Sequence, residues 1–146
     1  MGATMLQLPT AQDRIVMTEE FPGFSVEELF AHFVQPDLLC LWWPKEAEVD
    51  PHAGGRYHLF WPSMSWSLLG TIYEFVPDER VGFTWIWEGG KPADNPLKVL
   101  IGFGRSESGA RILLEHGQFE PEDAEAREGI IEGWIHFGAK LKSLRT

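Results

Sequence analysis

The chain predicts an α+β fold: a curved antiparallel sheet closed by one long C-terminal helix, with two short helices after the first strand. Three observations predict it. Residues 54–119 alternate apolar and polar positions between turn signals, as strands covered on one face do. Residues 122–144 carry apolar side chains at spacings of three and four, the mark of one helix face. A short apolar run at 14–21 is followed by helix-start and helix-stop residues before the alternation begins.

Residues 1–11 lack periodicity and read as a flexible N-terminal arm, which leaves 12–146 as a single domain. The segment 14–21 (RIVMTEEF) is strand-like through Ile15, Val16 and Met17, and Pro22-Gly23 ends it. Ser25 then reads as an N-cap, with Glu28 completing a capping box. Leu29, Phe30 and Phe33 supply the apolar face of this helix. Pro36-Asp37 interrupts it, and 38–43 forms a second short helical turn stopped by Pro44.

Turn signals at Asp50-Pro51, Gly54-Gly55, Pro62-Ser63, Pro77-Asp78-Glu79, 89–96 and 106–109 then divide the sheet. Between them lie alternating sets: Tyr57, Leu59, Trp61; Val81, Phe83, Trp85, Trp87; Val99, Ile101, Phe103; Ile112, Leu114, His116. Each set faces one side of the sheet. In the terminal helix Ala126, Ile130, Trp134, Phe137, Leu141 and Leu144 make a continuous stripe. Acids near its start and bases near its end suit the helix dipole. Gly129, Gly133 and Gly138 each cost about 1 kcal/mol of propensity relative to Ala. Such positions either let the helix approach the sheet closely or leave room for a ligand.

At 146 residues the chain suits one domain, and 44% hydrophobic with 23% charged residues is an ordinary globular balance. A net charge of −10 disfavours nucleic acid, which needs a concentrated basic surface. Cys40 is the only cysteine, so no intrachain disulfide forms; with no signal peptide, a cytoplasmic location is expected. Leu6 occupies the position where a myristoylation start needs Ser or Thr. The longest uncharged stretch, 58–73, is broken by Pro62 and three serines. It falls short of the ~18 apolar residues of a membrane span.

Four of the seven tryptophans (Trp61, Trp66, Trp85, Trp87) fall in the sheet. So many large rings on a concave sheet under one helix are hard to pack without a void, which points to a cup for a hydrophobic or aromatic small molecule. The residues expected around it are Trp43, Tyr57, Leu59, Trp61, Phe83, Trp85, Ile101, His116, Trp134 and Phe137. Trp42 and Trp43 alternatively form its entrance or an exposed patch for a partner. The loop 89–96, with two glycines and two prolines, suits a gate or an ordinary connection.

His116 is the best polar candidate, either orienting a ligand or sitting as a buried, hydrogen-bonded histidine; the second reading is favoured, because no acid stands at a spacing that would activate it. The five histidines are scattered and make no metal-ligand pattern. No Gly-x-Ser-x-Gly or phosphate-cradling loop occurs, and Cys40 sits between leucines, where its thiol pKa rises. No catalytic residue, metal or cofactor is therefore assigned.

The order strand, two short helices, six strands, long helix is the helix-grip arrangement. Leu29-Phe30, Phe33, Pro36, Leu38 and Trp42-Trp43-Pro44 resemble the opening of the activator-of-heat-shock-protein-90-ATPase-like family, within the START/birch-pollen-allergen (SRPBCC) superfamily. Gly54-Gly55-Arg56-Tyr57 is similar to its Gly-Gly-x-aromatic turn, the segment 70–85 to its central hairpin, 109–119 to a later strand, and Gly133-Trp134 to its helix signature. Ala110 stands where the family usually has Thr, and Trp61 where Met is common, so cavity polarity and volume depart from the family's.

The resemblance implies a START-like ligand-binding domain. Three roles follow, in this order: carrier or sensor of a lipid- or polyketide-like molecule; a polyketide cyclase or aromatase-type enzyme using the same cavity; a module interacting with a chaperone. Homodimerisation through a strand edge or the Trp42-Trp43 region is left open.

Overall fold

The computed structural model describes residues 5–7, 13–89 and 96–145. Among the described residues eight strands form one antiparallel sheet: β1 (Leu6–Gln7), β2 (Arg14–Pro22), β3 (Glu46–Val49), β4 (Arg56–Trp61), β5 (Trp66–Val76), β6 (Arg80–Trp85), β7 (Leu97–Arg105) and β8 (Gly109–Gly117). Their order across the sheet is β1-β2-β8-β7-β6-β5-β4-β3. Helices α1 (Val26–Val34) and α2 (Pro36–Leu39) follow β2, and α3 (Ala124–Ser143) closes the chain. This is the helix-grip arrangement, a curved sheet around a C-terminal helix.

Local chemistry sets the elements. Ser25 Oγ accepts from the Glu28 backbone N–H at 3.1 Å, and Glu28 Oε1 accepts from the Ser25 N–H at 3.3 Å, so the capping box closes at both bonds. Pro36 stands at the first turn of α2 rather than merely interrupting α1, because a helix start needs no N–H there. Asp78 takes a positive φ of 63° in the β5–β6 turn. The register of β5 against β6 shifts between Ile72 and Glu74, a bulge that bends the sheet. Tyr73 at that bulge lies against Gly82, where a Cβ would sit 2.6 Å from Tyr73 Cζ.

Within the arm expected over 1–11, Met5 is buried and Leu6–Gln7 pairs with Thr18 and Met17 of β2. That short piece is docked, and the rest of the arm lies outside the described residues. A Cβ at Gly138 would lie 2.6 Å from Met5 Cε, so this glycine makes room for the N-terminal segment.

The alternating sets face inward as expected: Tyr57, Leu59, Val81, Phe83, Val99, Ile101, Ile112 and Leu114 are all fully buried. The concave face is covered in two parts. At one end Phe30 and Phe33 of α1 pack edge-on against Phe103, at 5.1 and 5.3 Å between centroids. At the other end α3 crosses the sheet. A partly buried ion pair, Lys142 Nζ to Glu19 Oε1 at 3.3 Å, ties the end of α3 to β2, and Arg127 donates twice to the Arg14 carbonyl. The edge strand β3 exposes Glu46 and Glu48, charges that discourage edge-to-edge pairing. No helix among the described residues is long and apolar enough to cross a membrane.

Candidate functional site

A cavity of about 840 Å³ opens between the sheet and the first half of α3. Six of the seven tryptophans line it: Trp43, Trp61, Trp66, Trp85, Trp87 and Trp134. The helix side is Ala126, Gly129, Ile130, Gly133 and Phe137. These positions form a face adjacent to the dry face of α3, where Ile131, Trp134, Gly138 and Leu141 are buried. Trp134 belongs to both faces. A Cβ built at Gly129 or Gly133 meets nothing within 4 Å, so these two glycines leave space in the cavity. The three helix glycines thus divide between the two readings: Gly138 allows a close approach, Gly129 and Gly133 make room.

Trp43 is the hub of the aromatic wall. Its ring lies 5.0 Å from Trp134, 6.1 Å from Trp61 and 6.1 Å from Trp85, between centroids. The Trp61 indole N–H donates to the Trp43 carbonyl at 3.1 Å, which fixes the loop after α2 onto β4. Trp43 and Trp42 are both buried, so neither forms an entrance or an exposed patch. The Trp42 N–H donates to the His32 carbonyl at 2.9 Å, drawing that ring under α1.

Of the ten residues expected around the cup, Trp43, Trp61, Trp85, Trp134 and Phe137 line the cavity. Tyr57, Leu59, Phe83 and Ile101 do not; they are core. Tyr57 stacks on Phe83 at 3.9 Å and its hydroxyl donates to the Phe33 carbonyl at 2.6 Å. The central sheet is thereby filled by α1, and the cavity is displaced towards β5 and the β6 end. Burial pushes the Tyr57 hydroxyl pKa strongly upward.

His116 lies in the core beside the wall, with its ring centroid 4.6 Å from Trp85. Its Nδ1 accepts from the Trp134 indole N–H at 3.0 Å. An indole N–H only donates, so Nδ1 is bare and the neutral ring carries its proton on Nε2. Burial pushes the pKa of His116 down to about 3. Among the described residues neither His116 Nε2 nor Trp85 Nε1 has a hydrogen-bond partner. Both are N–H donors in an apolar setting, and Trp85 belongs to the cavity wall.

Sequence reasoning missed Trp66, Trp87, Met64 and Glu88, which form the mouth. Met64, Trp66 and Trp87 are exposed. Trp87 continues the alternation of Val81, Phe83 and Trp85, and that period was the available signal. Of the loop 89–96, read as a gate or an ordinary connection, Gly89 joins the lining; residues 90–95 lie outside the described residues. The two departures from the family pattern separate: Trp61 is in the wall, whereas Ala110 is buried opposite Phe21 on β2, away from the lining. Among the described residues no group of three or more His, Cys, Asp or Glu stands close enough to hold a metal ion.

Comparison with known proteins agrees with this architecture. The fold is similar to that of the MLL2253 protein of Mesorhizobium loti (TM-score 0.79, 23% identity, covering 90% of this chain and 95% of that one). A Rhodobacter sphaeroides protein superposes with a TM-score of 0.80 at 19% identity, over 97% of both chains. CalU16 of Micromonospora echinospora matches with a TM-score of 0.66 at 22% identity, over 88% of this chain and 75% of that one. No curated protein matches the sequence. The model of the family described as "Activator of Hsp90 ATPase homolog 1-like protein" matches residues 24–145, from just before α1 through α3, and the chain belongs to that family.

Proposed function

We propose that the protein binds a hydrophobic or aromatic small molecule, lipid- or polyketide-like in its apolar extent, as a cytoplasmic carrier or sensor. One observation carries this reading: a cavity of about 840 Å³ walled by six tryptophans, with Gly129 and Gly133 leaving it open on the helix side. That volume falls within the roughly 300–1,000 Å³ of small-molecule sites. Desolvating the ligand against these rings supplies affinity at about 25 cal/mol per Å² of apolar area.

A binding role is favoured over a cyclase-like one by the state of the polar candidates. His116 has Nδ1 engaged by Trp134 and is hard to protonate, and the Tyr57 hydroxyl is committed to the Phe33 carbonyl. Neither lines the cavity. Interaction with a chaperone ATPase is supported by the family match alone; a pulldown against the cognate chaperone tests it.

The test of the main reading is intrinsic tryptophan fluorescence across a panel of apolar and aromatic compounds. With six indoles in the wall, an occupying ligand shifts or quenches emission and saturates at one equivalent. A panel that moves the emission with no compound sinks the reading.

A further inference from the structure

We infer that the ligand class favoured by this cavity is cationic: an apolar or aromatic body bearing an ammonium group, held at the mouth by Glu88 and the Trp66 and Trp87 rings. The inference rests on the cavity being a ligand site.

Three observations carry it. First, Glu88 is the one charged residue lining the cavity among the described residues, and no Lys, Arg or His joins it there. A carboxylate or phosphate headgroup entering this site would lose its hydration without meeting a basic partner, and would face an acid. Fatty acids and phospholipids are therefore disfavoured; an ammonium is complemented.

Second, Glu88 is available and held in place. It is exposed and forms no salt bridge with a described residue. Its backbone N–H donates to the Ser67 carbonyl at 2.9 Å, and the preceding Trp87 bridges Leu68. The backbone that bears the carboxylate is thus anchored to β5. It also borders a second cavity of about 420 Å³ with Trp66 and Ser67, so it stands where the two spaces meet.

Third, the rings around it cross instead of aligning. Trp87 makes angles of 52° with Trp61, 60° with Trp66 and 86° with Trp85, at centroid separations of 5.8, 5.9 and 5.5 Å. The mouth therefore meets ring faces from more than one direction. Tryptophan faces attract cations best of the aromatic side chains, and a carboxylate beside them adds a counter-charge. Trp66 and Trp87 remain 51% and 37% exposed, so their faces are open to an arriving ligand.

The test uses three probes that share one ring system: 2-naphthylmethylamine hydrochloride, 2-naphthylmethanol and 2-naphthoate, titrated by calorimetry at pH 7.5. The ammonium should bind at least about fivefold more tightly than the alcohol, with the carboxylate weakest. Glu88→Gln should remove most of that preference. Glu132→Gln, an exposed helix position outside the lining, alters net charge equally and should leave the preference intact. An ammonium no tighter than the alcohol, a carboxylate that binds best, or a preference that survives Glu88→Gln overturns the proposal. If the alcohol binds and the preference is absent, the cavity reading stands and only the charge assignment fails. If none of the three binds, the cavity reading falls and takes this proposal with it.

Discussion

The Trp134 indole N–H donates to His116 Nδ1 across 3.0 Å, and this bond joins the terminal helix to β8 beside the aromatic wall. It requires a neutral imidazole. In the unfolded chain His116 titrates near its ordinary value of about 6.5, whereas burial holds it down to about 3 in the fold. Below the unfolded value the unfolded chain takes up a proton that the folded chain refuses. Stability contributed by this site is therefore complete at neutral pH and is lost as pH falls, by about 1.4 kcal/mol per unit between roughly pH 6 and 4. Chemical denaturation of wild type and His116→Phe across that window checks it: the variant should show the shallower dependence, and equal slopes would contradict neutral burial.

The same substitution should have opposite effects at two glycines. Gly133→Ala places its methyl in open space on a helix and should stabilise by about 1 kcal/mol. Gly70→Ala would set a Cβ 2.3 Å from the Thr84 carbonyl oxygen, a backbone atom that cannot step aside. It should destabilise by about 1–3 kcal/mol. Urea midpoints of the two variants against wild type decide both signs.

Tyr57→Phe removes the hydroxyl that donates to the Phe33 carbonyl while keeping the stack on Phe83. Leaving that carbonyl without its donor should cost about 1–3 kcal/mol. Because Tyr57 lies in the core under α1, affinity for apolar probes should stay unchanged. A loss of binding without a loss of stability would return Tyr57 to the cavity.

Burial first, then the negative charges of Glu46 and Asp37, raise the Cys40 thiol pKa. At pH 7.5 its reaction with a disulfide reagent should be slower than that of free cysteine. Glu46→Gln should speed it. Stopped-flow absorbance measures both rates.

Much of the fold was legible because it depends on local pattern. Alternation placed Tyr57, Phe83, Ile101 and Leu114 inward, and the Ser25–Glu28 pair marked the start of α1. The helix stripe was less well resolved, since Ile131 and Gly138 make the dry face while Ala126 is exposed at the cavity. Two apolar faces lie side by side on α3, and a single periodicity cannot separate them. The position of the cavity depended on contacts distant in sequence. Phe33 and Trp42 fill the sheet centre through bonds to Tyr57 and His32, which no spacing announces. That filling is why Tyr57, Leu59, Phe83 and Ile101 became core, and why Trp66 and Trp87 came to stand at the mouth.

If the space beneath Gly129 and Gly133 is where a ligand sits, Gly133→Phe should block it. The new ring would occupy the cavity from the helix side, where nothing blocks its Cβ. Calorimetric titration of wild type and Gly133→Phe with neutral 2-naphthylmethanol, alongside their thermal midpoints, is the measurement. Wild type should bind saturably and one-to-one, the variant should lose at least about tenfold in affinity, and its midpoint should be no lower than wild type's. Undiminished binding by a folded Gly133→Phe chain, or no binding by wild type, would contradict it.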